Sequence, residues 1–409
     1  MLNVQRVRLA RGPRAPPRIW TFLSGLRVFR HRARSLTPQL ERTGGPARSY
    51  HRWRLWLGAA SFLLAAAYLV TLIATGGAVA LRDRVATVTP WWWLQLPLVL
   101  VVLGSGYRLL ALPLDWLGGY WLPRRFGLLH QPFHRWLWDA AKGKLVGALL
   151  ALLGAETVYA LLRATPWWWL WGAAVFLAGY AVLAWLAPVW LVPLFYRLVP
   201  LDDVDLRNRL LRVAARAGVP VLGVWVLDQS RKSRTANAAV VGLGATRRIV
   251  LFDTLLKAFS ADEVEVVLAH EMAHQVHNDI GRGLVVQGAF TLATFWLAEH
   301  ALRAGTAWLG LTGPADPAGL PLFGLILMGI GLVSLPLGNG WSRRVERQAD
   351  DFALQMSGNP TAFIDAMERL GTLNLAERDP HIVKEILLYS HPSIGRRVRR
   401  AQDLWRPSG

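Results

Sequence analysis

The amino-acid sequence predicts a mainly α-helical, polytopic membrane protein with about six spans and a small cytoplasmic α/β domain. Hydrophobic residues make up 53% of the 409-residue chain. Several uncharged runs are as long as the roughly 20 residues that a membrane-spanning helix needs. Residues 197–282 differ, because they combine a helical period with short β-branched runs. This segment also holds the motif HEMAH at residues 270–274, which indicates a metal site on a helix.

Six segments are predicted to cross the bilayer as helices. They cover residues 55–81, 85–107, 145–162, 164–196, 283–304 and 317–341. Pro188 and Pro193 are expected to break or kink the fourth span near its end, because proline cannot donate a helical hydrogen bond. The fifth span is interrupted by Glu299, His300 and Arg303, so it could instead be a buried helix of a soluble region.

Basic and aromatic residues predict the orientation. Residues 1–54 are rich in arginine and contain one acidic residue, Glu41, so the positive-inside rule places this arm in the cytoplasm. Tryptophan triplets at residues 91–93 and 167–169 open spans two and four from the other side, as an outer aromatic belt predicts. Both termini and the active site are therefore expected in the cytoplasm. The short spans and many arginines indicate a prokaryotic cell membrane.

The net charge of +20 is assigned to the lipid surface rather than to nucleic acid. Basic residues concentrate in segments placed beside the cytoplasmic leaflet, where anionic lipids attract them. Residues 27–34 could form a nucleic-acid patch, but no binding module accompanies them. Residues 19–29 do not resemble a signal peptide, and an interfacial amphipathic helix or disorder is expected there. The absence of cysteine excludes disulfides and thiolate metal sites.

Residues 197–282 are predicted to form the α/β domain. A helix is predicted at residues 205–217, because its periodicity ends at a Gly-Val-Pro stop signal. Strands are predicted at residues 222–227, 236–242 and 248–252, with a tight turn at 242–246. Ser260 is expected to cap the helix that carries the HEMAH motif, since acidic residues follow it in the first turn.

His270 and His274 lie four residues apart, so an α-helix places them on one face. Their ring nitrogens can bind one Zn²⁺ ion per chain. Glu271 projects beside the first histidine, where it could reach a metal-activated water. This is the HExxH arrangement of zinc peptidases. The alternative is a helix with two solvated histidines.

A catalytic zinc also needs a third protein ligand and an open position. His277 is the nearest candidate in sequence, but a ligand at that position would give poor tetrahedral geometry. Glu346, in the polar stretch after span six, is favoured. Asp350 lies one turn further on the same face, where it could accept a hydrogen bond from a ligand histidine. Glu346 could also be a solvated partner of neighbouring arginines.

Four stretches resemble the CAAX prenyl protease 1 family of integral-membrane zinc metallopeptidases, which are of the gluzincin type. Asn237-Ala238 with residues 248–256 is similar to the strand pair before the family's zinc helix, and residues 270–274 are similar to that helix. Residues 339–350 match the family's N..SR..E..AD pattern, and residues 390–397 resemble its C-terminal element. The likeness covers about residues 50–405.

The resemblance implies further roles. It supports Glu346 as the third zinc ligand, and it implies an edge strand that holds an extended substrate by backbone pairing. That strand comprises Asn237, Ala238, Ala239 and Val240. His391 would stabilise the oxyanion, and Arg397 would orient His391 or the substrate. By itself, a histidine before a proline is also typical of a surface turn. Ala239 departs from the family, since many members are expected to have an aromatic residue there.

The expected function is hydrolysis of extended peptide or membrane-protein substrates by a membrane-embedded zinc metalloendopeptidase. Glu271 is expected to take a proton from water and pass it to the leaving amine. His391 and the zinc ion would stabilise the oxyanion. A zinc-binding transport or regulatory protein without hydrolysis is the alternative. That function would not need the unliganded Glu271 beside a ligand histidine.

These predictions divide the chain into five segments. Residues 1–54 form an Arg-rich cytoplasmic arm, and residues 55–196 contain spans one to four. Residues 197–282 form the α/β segment with the zinc helix, and residues 283–341 contain spans five and six. Residues 342–409 form cytoplasmic C-terminal helices that carry the third zinc ligand.

Overall fold

The structure is a computed structural model that describes residues 21–405, and for residues 21–44, 189 and 245 it describes the backbone alone. Of the predicted Arg-rich arm and its interfacial segment, residues 1–20 lie outside the described residues. Within the described part, six helices are long and apolar enough to cross a membrane, and one four-stranded sheet is present. The predicted fold class, a polytopic helical membrane protein with a small α/β region, is confirmed.

Four candidate spans precede the sheet. The helices of this part are α1 (Thr21–Ala74), α2 (Gly77–Val88), α3 (Trp92–Trp116), α4 (Leu122–Arg125), α5 (Phe133–Ala164), α6 (Trp168–Leu186) and α7 (Val192–Phe195). Leucines on the outer faces of the spans are widely exposed, and Leu63, Leu109 and Leu153 are 65–68% exposed. Such an extensive apolar surface is typical of helices that contact lipid.

The candidate spans have other boundaries than predicted, and span three, for example, begins at Phe133 rather than at residue 145. Span one ends at Ala74 rather than at residue 81, because Gly76 is left-handed (φ 66°) and a separate helix, α2, follows. Span two therefore begins at Trp92, after the extended residue Thr89. The α-helix of span four ends at Leu186, and Pro188 lies in the π-helical turn Ala187–Leu191 that follows. The expected interruption near the end of this span is therefore present.

The sheet has the strand order β1-β2-β4-β3. Its strands are β1 (Leu198–Pro200), β2 (Val224–Leu227), β3 (Ala238–Val241) and β4 (Arg248–Phe252). β2 is parallel to β4, and β3 is antiparallel to β4 at one edge of the sheet. The three predicted strands are present, and two of them are shorter than predicted. β1 was not predicted, because three residues that end in proline carry no readable alternation.

Three helices belong to the same region: α8 (Val204–Arg216), α9 (Asp253–Ala258) and α10 (Ala261–Val276). Ser260 caps α10 as predicted. Its hydroxyl accepts a hydrogen bond from the Glu263 N–H, and the Glu263 carboxylate accepts one from the Ser260 N–H, which forms a capping box. Leu268 and Met272 of α10 are fully buried in a core that also contains Leu251 of β4. The motif helix is therefore held on the sheet by apolar burial.

The fifth span is α11 (Asp279–Trp308), and it is one of the six candidate spans despite its charged residues. Glu299 is buried. It accepts hydrogen bonds from the indole N–H of Trp168 and from Arg303. An ionisable group inside a span is tolerated when it has such partners.

The sixth span continues directly into the polar segment. Span and polar stretch form one helix of 38 residues, α12 (Leu320–Ser357), despite Pro336 inside it. The remaining helices are α13 (Pro360–Leu373), α14 (Ile382–Leu388) and α15 (Ile394–Leu404). α13 and α15 bury Phe363 and Ala401 in the same core as α10. One continuous helix thus connects the membrane part with the α/β region.

The β3–β4 connection gives a test of this fold. Gly242 has φ +94°, and an added Cβ would lie 2.6 Å from the carbonyl oxygen of Thr246, whereas Gly244 has φ +56° and open space around it. We expect Gly242→Ala to lower stability by about 2–4 kcal/mol, because strain and a backbone clash add. Gly244→Ala should cost only about 1–2 kcal/mol. Melting of the detergent-purified variants measures the difference, and equal melting temperatures would contradict it.

Candidate metal centre

His270 and His274 lie on one face of α10, with ring centroids 5.1 Å apart and ring planes nearly perpendicular. Glu346 reaches them from α12. Its Oε2 lies 3.2 Å from Nε2 of His270, and its Oε1 lies 3.9 Å from Nε2 of His274. Among the described residues, these three form the one group whose ligand atoms all lie within 4.8 Å of one another. Two imidazoles and a carboxylate therefore converge on one point.

This donor set fits a divalent metal ion. Two ring nitrogens and one carboxylate oxygen are typical ligands of a catalytic metal site that keeps a further position open. Oε2 of Glu346 is buried and forms no hydrogen bond with the described residues. A buried carboxylate oxygen is costly unless positive charge lies beside it, and a protonated His270 or a metal ion can supply that charge. The three side chains thus fit a divalent cation.

His277, the alternative third ligand, lies outside this group. Its ring makes an edge-on contact with Phe352, with centroids 5.7 Å apart. Its Nδ1 is buried and has no hydrogen-bond partner among the described residues. The bend of the chain at Asn278, which is left-handed (φ 52°), follows immediately.

The second ring nitrogen of each motif histidine faces a carboxylate. Nδ1 of His270 lies 3.0 Å from Oδ1 of Asp350, and Nδ1 of His274 lies 2.9 Å from Oδ2 of Asp279. Such carboxylates select the tautomer and leave Nε2 for a metal. Asp350 was expected at this place, whereas Asp279 was missed. The Asn-Asp pair that follows His277 is typical of a helix start, but it does not indicate that Asp279 faces His274.

Arg397 of α15 is buried next to Asp350 and His270. Its guanidinium donates two hydrogen bonds to Asp350, and the one from Nε to Oδ2 measures 2.8 Å. Its Nη2 also lies 3.4 Å from Nδ1 of His270. The role implied by the resemblance was to orient His391 or the substrate. The hydrogen bonds of Arg397 connect it to the metal-facing histidine through Asp350, and the role implied by the resemblance stays a prediction.

The carboxylates change the protonation of the site. Burial would lower the pKa of His270, but Asp350 and Glu346 outweigh this effect and raise the pKa to about 9. Without a metal, His270 is therefore protonated at neutral pH, and a metal ion that binds its Nε2 must displace a proton. Burial also raises the pKa of Glu271, and His270 and His274 oppose that shift. A raised pKa brings Glu271 closer to the range in which a base works at neutral pH.

His391 reaches the centre from the loop between α14 and α15. Its Nε2 lies 3.2 Å from Oε1 of Glu346, and its side chain is 58% exposed. Nδ1 lies 2.9 Å from Oγ of Ser390. Together with Glu271 and His270 it lines a cavity of about 470 Å³. The cavity therefore has the metal-facing residues on one side and an accessible histidine on another.

The expected substrate strand lies beside this cavity. Asn237, which precedes β3, lines it. Ala238 is buried, and Ala239 and Val240 continue along the sheet edge outside the cavity wall. β3 is the last strand in the sheet order. One side of β3 is thus left without a strand partner in the sheet.

Comparisons with known proteins agree with this geometry. The profile of peptidase family M48 matches residues 200–404. The profile described as CAAX prenyl protease N-terminal, five membrane helices, matches residues 42–197. Within the latter range the described chain has four candidate spans, and the 12-residue α2 is the next longest helix.

Individual proteins match over most of their length. The uncharacterized metalloprotease YhfN of Bacillus subtilis is 28% identical over 81% of this chain and 79% of its own. CAAX prenyl protease 1 of Saccharomyces cerevisiae is 30% identical over 73% of this chain and 70% of its own. The crystal structure of S. mikatae Ste24p shares the fold, with a TM-score of 0.77 at 23% identity over 88% of this chain and 89% of that chain.

The two profiles adjoin each other and together cover the membrane part and the α/β region. The yeast relative extends across the same two parts. The motif helix, the long α12 and the C-terminal helices all fall within the peptidase match. This chain therefore belongs to peptidase family M48 and is a membrane metalloprotease of the CAAX prenyl protease 1-like group.

Proposed function

We propose that this chain binds one Zn²⁺ ion and cuts extended peptide segments, including those of membrane proteins, on the cytoplasmic side of the membrane. The observation that carries the proposal is the convergence of His270, His274 and Glu346 within 4.8 Å. Glu271 lines the cavity beside them. Zinc suits this set because it accepts imidazole and carboxylate ligands in a four-coordinate site with one open position.

Each residue then has a defined task. His270, His274 and Glu346 would hold the zinc ion, which would supply Lewis-acid activation of water and of the scissile carbonyl. Glu271 accepts the proton of the attacking water and delivers it to the leaving amine. His391 donates a hydrogen bond from Nε2 to the developing oxyanion. Asp350 and Asp279 hold the ligand rings, and Arg397 positions Asp350.

The substrate is proposed to bind as an extended strand along β3. The unpaired side of β3 offers main-chain groups, and strand addition to a sheet edge is a common way to hold a peptide. Such binding requires an extended segment, so a folded domain cannot occupy the groove. The non-hydrolytic alternative has no observation in its favour, because the chain belongs to a peptidase family.

The catalytic side is proposed to be cytoplasmic. Ligands come from α10, before span five, and from the end of α12, after span six. Spans five and six must then form a hairpin that returns to the side of α10. The arginine-rich segment before the first span favours the cytoplasm for the side of α10. The tryptophan triplets lie at the other membrane surface, at the starts of spans two and four, and favour the same orientation.

The first prediction concerns the base. Glu271→Gln should retain zinc while lowering kcat about 100- to 10,000-fold, because the ligands remain and only the proton acceptor is lost. Metal analysis and peptide cleavage followed by mass spectrometry measure the two effects on the same sample. Wild-type turnover by the zinc-loaded variant would exclude Glu271 as the base.

The second prediction concerns the third ligand. Glu346→Ala should weaken zinc binding by at least about 100-fold, since a metal ligand is removed. His277→Ala is the matched control from the motif helix and should bind zinc like the wild type. Competition with a fluorescent chelator measures both affinities. A loss confined to His277→Ala would assign the ligand to that histidine instead.

The third prediction concerns orientation. The chain lacks cysteine, so single cysteines can be placed at exposed positions Ala86, Ala215 and Gln402. A membrane-impermeant thiol reagent applied to intact cells should label only Ala86→Cys, and cell lysis should expose the other two. Labelling of Ala215→Cys or Gln402→Cys in intact cells would reverse the proposed orientation.

A further inference from the structure

Asn374, at the C-terminal end of α13, is bonded to the chain just before the edge strand. Its Oδ1 accepts a hydrogen bond from the N–H of Ala236 (3.0 Å), and its Nδ2 donates one to the carbonyl of Ala236 (3.1 Å). A carboxamide that engages both main-chain groups of one residue makes the contacts that a neighbouring strand would make. Asn374 therefore imitates one residue of an added strand.

The side of the strand that Asn374 occupies follows from the pairing with β4. Phe252 N–H donates to the carbonyl of Asn237, so Asn237 directs its main-chain groups towards β4. In an antiparallel pair this direction alternates from residue to residue. Ala236, Ala238 and Val240 therefore direct theirs away from β4, to the open edge of the sheet.

The open edge is only partly available. Ala236 is taken by Asn374. The N–H of Ala238 donates to Oδ1 of Asn237 (2.9 Å). The carbonyl of Ala238 and both main-chain groups of Val240 have no hydrogen-bond partner recorded among the described residues. A peptide strand can thus pair with the carbonyl of Ala238 and with both main-chain groups of Val240, but not with Ala236.

This end of the edge lies at the catalytic cavity. Asn374, Ala236 and Asn237 line the same cavity as His270 and Glu271. Asn374 is held in place, since its N–H bonds to Leu370 and the following residue, Leu375, is left-handed (φ 49°). The carboxamide is therefore a fixed part of the cavity wall rather than a free surface side chain.

We propose that Asn374 is a specificity-determining residue that ends the substrate groove. Its carboxamide bonds to the main-chain groups of Ala236 with which the next substrate residue would pair. Strand pairing of the substrate therefore ends at Asn374. The proposal rests on the proposed peptidase function and adds a limit to it. Substrate residues on one side of the scissile bond form main-chain hydrogen bonds with the sheet edge at Val240. Substrate residues on the other side, beyond Asn374, form none.

The consequence is an unequal dependence on peptide length. Lengthening a substrate at the terminus that runs along Val240 should raise kcat/KM with each paired residue, roughly fivefold per residue. Lengthening it at the terminus that meets Asn374 should have little effect. Removal of the carboxamide leaves the two groups of Ala236 unpaired, so a longer substrate can then bond to them.

The test uses the zinc-loaded full-length protein and two series of peptides built around one mapped cleavage site, extended residue by residue at either terminus. The wild type should respond to one series only. Asn374→Ala should respond to both, with a gain of roughly fivefold where the wild type is flat. The gain should appear mainly in KM. Thr372→Ala, which removes a hydroxyl that bonds to Glu368 on the same helix end, should keep the wild-type profile.

Identical length profiles in Asn374→Ala and wild type would overturn the proposal, as would a wild type that gains equally from both series. If Asn374→Ala does not fold, as judged by its melting, Asn374→Ser carries the same test with a shorter polar side chain. Failure of the wild type to cut any peptide would instead contradict the proposed function. The two failures are thus distinguishable, because the effect of peptide length is a ratio of kcat/KM values that only an active enzyme gives.

Discussion

The approach of α12 to α10 is the contact on which the site depends. Neither helix contains a complete metal site, since the two histidines lie on α10 and the carboxylate lies on α12. Fully buried alanines are present on both helices, Ala273 and Ala349, and small side chains allow two helices to pack closely.

Buried charge is the second constraint. Glu346, Asp350 and Arg397 are all buried around His270, and removing charges from water is expensive unless they are paired. Arg397 compensates Asp350 through two hydrogen bonds, and Asp350 and Glu346 together raise the pKa of His270. A divalent cation would compensate the charge of Glu346 and would also contact His274, which a proton on His270 cannot do. The buried carboxylate that is costly without a metal ion therefore favours metal binding.

Much of this could be predicted from the sequence, where the signal is local. Helical spacing predicted the histidine pair, and long apolar runs predicted six spans. The third ligand needed more than spacing, because 72 positions separate Glu346 from His274 and only the resemblance connected them. Asp279 and Asn374 could not be found this way. Their partners are set by how helices meet in three dimensions, and a carboxylate or amide at a helix end has the same local pattern whether it is solvated or bonded.

The most direct test of the central claim is anomalous diffraction at the zinc absorption edge from crystals of the purified protein. The account predicts a single zinc peak per chain, with Nε2 of His270 and His274 and a carboxylate oxygen of Glu346 at about 2.0–2.2 Å. It also predicts that His277 is not a ligand. A peak coordinated without Glu346, or no peak in zinc-replete protein, would contradict the account.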